Sequence, residues 1–258
     1  FDKQVDIYNV HADEPKNPNA YNVLNIANEP EPTRMKNSKV KKLAPLYDLI
    51  LTWDEDILNT CSNAKMLLCG MTWIRKEHWN CDWVKNKHFG VSFICGAKNM
   101  TPLHRARHDV WDGQKYLKVP FNFYHSKHNP MNSFFNNPIL AGHPWEKYKV
   151  FNTQFHIAIE NTKVNNYFTE KLMDCFVTRT VPIYVGCPNL DKYFNLKGMI
   201  YVQDVKNIIK RCNKLTSQHY KDMKPYIEEN FHLCQEYVRN FTERLKEKKL
   251  EELNENKS

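Results

Sequence analysis

Short, largely apolar runs punctuate the first third of the chain, at 5–10, 22–27, 47–52 and 65–69. Each run reads as a short strand, and the connections between them are polar or helical, which is the repeat of a Rossmann-like domain. A Trp-, Lys- and Asn-rich stretch from Trp79 to Lys87 leads to a strand at 90–95, then a helix at about 103–112. The segment from Pro120 to Trp145 carries Pro120, Pro130, Pro138 and Pro144 and is expected to be an ordered surface loop. Beyond it, Phe155, Ile157 and Ile159 alternate as in a strand, and Val181, Ile183 and Val185 do the same around Pro182. Leu172, Met173, Cys175 and Phe176 lie between them at helical spacing, with Thr169 placed to cap that helix. The result is a βαβ unit, and hence a parallel sheet. From about Asp222 the tail reads as helical, with Cys234, Tyr237, Val238, Phe241 and Leu245 forming one apolar stripe.

The ligand crevice of such a sheet lies beyond the carboxyl ends of its strands, so Glu160, Asn161, Tyr167, Glu170 and Lys171 converge there. Unpaired N–H groups and a positive dipole end mark the helix N-terminus, and Lys171 adds a full charge, which suits a diphosphate. Glu170, one residue earlier, suits ribose or sugar hydroxyls instead. A nucleotide sugar satisfies both neighbours.

Composition narrows the classes. The 258 residues carry 37 Lys and Arg against 29 Asp and Glu, a formal charge of +8 that fits an anionic ligand. The basic residues form no stripe interleaved with stacking aromatics, so a nucleic-acid partner is not expected. No run of 18 apolar residues occurs, so no membrane-spanning segment is expected in this sequence. The eight cysteines form no Cys-x-x-Cys pair and no zinc spacing, and Cys69, Cys95 and Cys175 read as buried free thiols. Internal repeats are absent.

The run Glu160-Asn161-x(5)-Tyr167-Phe168-Thr169-Glu170-Lys171, followed by Val181-Pro182-Ile183-Tyr184-x-Gly186, resembles the signature of the α1,3/4-fucosyltransferases, inverting enzymes that use GDP-fucose. Weaker matches follow in the family's order. NIANEPEPTR and LYDLILTWDEDIL resemble its acidic loop and next strand, VSFICGAKNMTPLHRARHDVW its arginine-bearing helix, and Lys149 with Phe151 its Lys-x-Phe lead-in. The resemblance covers roughly residues 20 to 205. FNLKGMIYV, Cys187 after Gly186, and the missing C-terminal Cys-x-x-Cys depart from the family pattern and bear on acceptor choice and disulfides.

That resemblance implies an α/β chain of the GT-B type, two facing Rossmann-like domains with a C-terminal helix packing back across them. The acceptor-side domain is expected at 1–88, the GDP-fucose domain at 89–221 and the helical tail at 222–258. It implies transfer of L-fucose from GDP-fucose to an acceptor glycan, such as the 3-OH of GlcNAc, by one inverting displacement. Glu29, or else Glu31, is the expected base. Arg107, or else Arg105, is the donor-side cation, and Lys171, Glu170, Tyr167, Asn161, Glu160 and Lys149 complete the donor set. Expected partners are GDP-fucose and an acceptor oligosaccharide or glycoconjugate, and no divalent metal is expected to be essential. Two alternatives remain: a metal-dependent transferase using Asp54 and Asp56, and an inactive glycan- or nucleotide-binding module. The compartment stays open, the Golgi lumen if a eukaryotic anchor precedes Phe1 and the cytoplasm otherwise. Sequons at Asn99, Asn240 and Asn256 bear only on the first case.

Overall fold

The computed structural model describes residues 3–31, 33–126, 130–132, 135–140 and 144–255. They divide into two units, Phe1–Cys69 with Arg239–Ser258, and Gly70–Val238. These limits differ from the sequence division at 88/89 and 221/222.

In the first unit, β1 (Val5–Tyr8), β2 (Tyr21–Asn25), α1 (Asn37–Leu43), β3 (Leu49–Thr52), α2 (Glu55–Thr60) and β4 (Ala64–Met66) follow in sequence. The strands form a parallel sheet in the order β1-β2-β3-β4, paired in the register Val23↔Leu49 and Ile50↔Ala64. Leu24, Ile26 and Ile50 of the sheet region pack with Val40, Leu43 and Ile57 of the helices, all buried. β3 is buried along its whole length and β2 from Asn22 to Asn25, as in a parallel sheet whose helices cover residues that would otherwise face water.

The second unit holds α3 (Asp82–Lys85), β5 (His88–Cys95), α4 (Pro102–Asp112), β6 (Phe121–His125), β7 (Thr153–Ile159), α5 (Glu170–Val177), β8 (Val181–Val185), β9 (Ile200–Tyr201), α6 (Ile208–Cys212) and α7 (Ser217–Tyr237). Among the described residues its five strands are all parallel, in the order β6-β5-β7-β8-β9. One expectation is corrected here: the proline-bearing segment 120–145 is not all loop, because Phe121–His125 pairs with β5 from Val91↔Phe121 to Cys95↔His125. Pro120 ends just outside the strand, where its missing N–H does no harm and its carbonyl accepts from Val91 N at 2.9 Å.

Because β6 and β7 flank β5 on opposite sides, the strand order reverses between β5 and β7. A crevice opens beyond the carboxyl ends of two strands whose chains leave in opposite directions. The residues that follow β5 and β7 thus meet at one place.

The tail is also more divided than its stripe predicts. α7 starts at Ser217, capped by Thr216 with His219 in a reciprocal capping box, and stops at Tyr237. α8 (Phe241–Glu255) then belongs with the first unit, where Arg244 Nη2 donates to Leu68 O at 2.6 Å and Lys249 lies over the Tyr21 ring. Among the described residues, no helix is long and apolar enough to cross a membrane.

Candidate functional site

β7 is buried along its whole length and delivers Glu160, 0% exposed, at its carboxyl end. Both carboxylate oxygens of Glu160 are used on Thr169, taking its backbone N–H at 2.8 Å and its hydroxyl at 2.8 Å. Thr169 is the N-cap of α5 and accepts from Lys171 N at 3.4 Å. The strand end therefore fixes the start of the helix, which is the local reason for an acid nine residues before a capping threonine.

Lys171 curls back over the same turn. Its ammonium lies 3.0 Å from Glu170 Oε1, 3.2 Å from Thr169 Oγ1 and 3.8 Å from Glu160 Oε2. Burial raises the pKa of Glu160 although Lys171 pulls it the other way. At Glu170 the balance reverses: burial opposes the charge, yet Lys171 and Lys147 hold the carboxyl down at about 2. Gly186, at the end of β8, leaves room for this arrangement, since a Cβ there would lie 2.6 Å from Glu160 Cγ and closer still to the Tyr184 hydroxyl.

The other side of the crevice comes from α4. Thr101 caps that helix, in a capping box with His104, and donates its hydroxyl to Asn161 O at 2.6 Å. Arg107 donates Nε and Nη2 to Ile159 O at 3.0 and 2.6 Å, and Nη2 also to Asn161 Oδ1 at 2.8 Å. Burial draws the Arg107 pKa down, against the pull of Glu160. Burial and the Arg107 charge together push His104 down to about 4, so its imidazole is neutral near pH 7.

Between the two helices, the loop 161–169 is pinned at Asn166, whose φ is +63°. Asn189 and Tyr193 donate to Asn166 Oδ1 at 2.8 and 2.6 Å, and Asn166 N donates to Asn189 Oδ1 at 2.9 Å. Asparagine tolerates that left-handed backbone better than most residues. Tyr167, next to it, is wholly buried.

Of the sequence-expected donor residues, the structure brings Arg107, Glu160, Asn161, Glu170 and Lys171 together, with Tyr167 inside the fold beside them. It separates the other two. Arg105 is exposed and bonds Asn99 O at 3.1 Å, and Lys149 is exposed, with its ammonium 5.9 Å from the Tyr148 ring centre. Lys147 is the lysine that turns inward, 2.8 Å from Asp174 Oδ2, and sequence spacing gave no reason to prefer it. His104, Asn166 and Asp174 also escaped the sequence reading. Thr101-x-x-His104 could have signalled a capping box, whereas Asp174 sits unmarked in an apolar helix.

In the first unit, Glu29 is half-buried and accepts from the Thr33 hydroxyl at 2.9 Å, while Glu31 is exposed. Asp54 caps α2, accepting from Asp56 N at 3.0 Å, and takes Arg34 Nη2 at 2.7 Å. Asp56 takes Lys41 at 2.6 Å. The Asp-x-Asp pair is thus engaged by a helix end and two cations. All eight cysteines are free thiols, seven of them buried.

Residues 142–240 match the family model described as "Glycosyltransferase family 10 (fucosyltransferase) C-term". A 54-residue stretch is 43% identical to the α-(1,3)-fucosyltransferase FucT of Helicobacter pylori, covering 21% of this chain and 11% of that protein. The chain thus aligns with about a tenth of this curated relative's length. Among solved structures, an α1,3-fucosyltransferase crystallised with GDP-fucose matches with a TM-score of 0.52 at 19% identity, over 87% of this chain and 77% of the other. TarM of Staphylococcus aureus matches with a TM-score of 0.56 at 15% identity, over 90% of this chain and 50% of the other. These neighbours are GT-B glycosyltransferases, and the fold seen here is theirs. The signature strand, cap and lysine all lie inside the matched segment, so residues 142–240 are similar to the C-terminal part of glycosyltransferase family 10, the fucosyltransferases.

Proposed function

We propose that this chain transfers L-fucose from GDP-fucose to a hydroxyl of an acceptor glycan, with inversion. The observation that carries the proposal is the cation at the first turn of α5: Lys171, over the Glu160–Thr169 cap, stands where the strand order reverses and where helix N–H groups favour a diphosphate. In the proposed step the acceptor oxygen attacks C1 of fucose, the bond from C1 to the diphosphate oxygen breaks, and GDP leaves with the bonding pair. Glu29, or else Glu31, takes the acceptor's proton. Lys171 and Arg107 supply positive charge for the leaving diphosphate. Glu170 accepts from ribose or sugar hydroxyls, Asn161 and Tyr167 shape the nucleoside contacts, Glu160 holds the helix start, and Lys149 adds its charge from the surface. A 3-OH of GlcNAc is the first acceptor to try.

No divalent cation is required in this scheme. Its support is the state of the Asp-Glu-Asp run, where Asp54 and Asp56 already serve a helix end, Arg34 and Lys41.

The test measures labelled fucose transferred from GDP-fucose to a panel of acceptor sugars, alongside GDP protection against thermal unfolding. Transfer with protection is the expected result. Protection without transfer or donor hydrolysis would identify a binding module instead, and the absence of both would overturn the proposal.

A further inference from the structure

Beneath Glu170 lies a second charged pair that the proposed reaction does not use. Lys147 Nζ is 2.8 Å from Asp174 Oδ2, with side-chain exposures of 14% and 0%. The other oxygen of Asp174 accepts from the Thr72 hydroxyl at 2.6 Å and from Trp73 N at 2.8 Å. Glu170 and Asp174 stand four residues apart on α5, so they share one face of the helix. Lys147 bonds Asp174, one turn along that face from Glu170; its charge adds to that of Lys171 in holding Glu170 down, while burial keeps Asp174 above its ordinary value.

Folding alone gives little reason for a lysine there. Taking two ions out of water is costly, and a well-packed neutral pair commonly folds as well. The consequence for Lys171 is more specific. Its ammonium is 3.0 Å from Glu170, and a Glu170 with no other cation would spend its whole charge on Lys171. A second lysine on the same carboxylate's face divides that attraction.

We infer that Lys147, anchored by Asp174, is a positioning residue of the donor site: it balances Glu170 so that Lys171 remains available to a diphosphate. The inference rests on the nucleotide-sugar reading above. It also gives the inward role at the β7 lead-in to Lys147, where the sequence pattern pointed to Lys149.

The experiment compares the wild type, the double variant Lys147→Met/Asp174→Asn and the single variant Lys147→Arg. In the double variant the amide oxygen introduced at position 174 can still accept from Thr72 and Trp73, and no buried charge is stranded. Calorimetric titration with GDP and, separately, with guanosine is the readout. The double variant is expected to lose about tenfold or more in GDP affinity while its guanosine affinity stays within about twofold, and Lys147→Arg is expected to recover most of the loss. Equal loss for both ligands, or no loss for either, overturns the inference and leaves the proposed function standing. A double variant that does not fold also overturns it, by making the pair a requirement of the fold. A wild type that binds neither ligand overturns the proposed function, and this inference falls with it.

Discussion

Lys171→Met removes the cation on which the proposed donor site is built and keeps most of the side-chain volume. Its ammonium is 3.0 Å from Glu170 and 3.8 Å from Glu160. Two unit charges about 4 Å apart attract by about 4 kcal/mol at an effective dielectric near 20. Lys171 and Glu170 are 22% and 19% exposed, so solvent and side-chain entropy take back much of that. A net destabilisation of about 1–2 kcal/mol remains, or a fall of roughly 3–6 °C in the midpoint of a unit this size. Glu170 sits at about 2 in the folded protein because Lys171 and Lys147 outweigh burial. A depressed carboxyl stabilises the fold above its unfolded pKa, and that contribution is lost as pH falls through the folded value. With Lys171 gone the folded pKa rises, so acid unfolding begins at a higher pH. On activity the effect is larger: loss of a cation facing a departing phosphate should lower kcat/KM by about 10²–10³. Steady-state transfer from GDP-fucose, with a thermal melt on the same sample, measures both. A variant that melts lower and yet keeps kcat/KM within about threefold of wild type would refute the reasoning, leaving Lys171 a partner of Glu160 and Glu170 and nothing more.

Gly186→Ala should push Glu160 and Tyr184 apart, costing about 1–3 kcal/mol in a chemical melt and weakening GDP binding, since the displaced carboxylate holds Thr169, the cap of α5. Arg179, at φ +50°, lays its guanidinium 3.3 Å over the Phe231 ring and pairs with Glu228 at 3.1 Å. Arg179→Ala should therefore destabilise by about 2–4 kcal/mol, and Arg179→Gly by about 1 kcal/mol less, because glycine relieves the left-handed backbone. Asp54→Asn should cost stability, about 2–4 kcal/mol by urea unfolding, since it weakens the partner of buried Arg34, while transfer in the presence of a chelator stays at the untreated rate. Burial brings the Lys87 pKa from 10.5 down to about 7, so the unfolded chain binds the proton that the folded chain releases, and stability should rise by about 1.5 kcal/mol between pH 7 and 8.5. Lys87→Met should flatten that rise, and equal slopes in the two proteins would refute it.

Local order was legible in the sequence because its causes are local. Thr169 before Glu170 and Lys171, and the period-two runs on either side, each act within a few residues, and β7, α5 and β8 lie where those runs place them. The start of α8 was legible too, though it went unread: Asn240-Phe-Thr-Glu has the form of a capping sequence, and Thr242 N donates to Asn240 Oδ1 at 2.8 Å. An apolar stripe continuing across that point hid the break. In β6 the error ran the other way. Four prolines outweighed the alternation of Phe121 and Phe123, although proline outside a strand's ends is compatible with the strand between them.

The choice of partner for each charge is a different kind of information. Arg107 spends its guanidinium on Ile159 O, 52 residues away, and Thr72 reaches Asp174 across 102 residues. No periodicity encodes such pairs. The segment 144–152 that carries Lys147 and Lys149 is largely a 3-10 turn, in which each residue rotates by about a third of a circle, so two lysines two residues apart face different ways. Composition treats the two as equal, and only the position of Asp174 separates them. A charged residue at a strand end can therefore be assigned to a site from sequence, but its role depends on which distant carboxylate or carbonyl the fold brings to it. In this chain Asp174 is the clearest instance: an acid in an apolar helix, silent in the sequence, that fixes which lysine turns inward beside the helix that the proposed donor would meet.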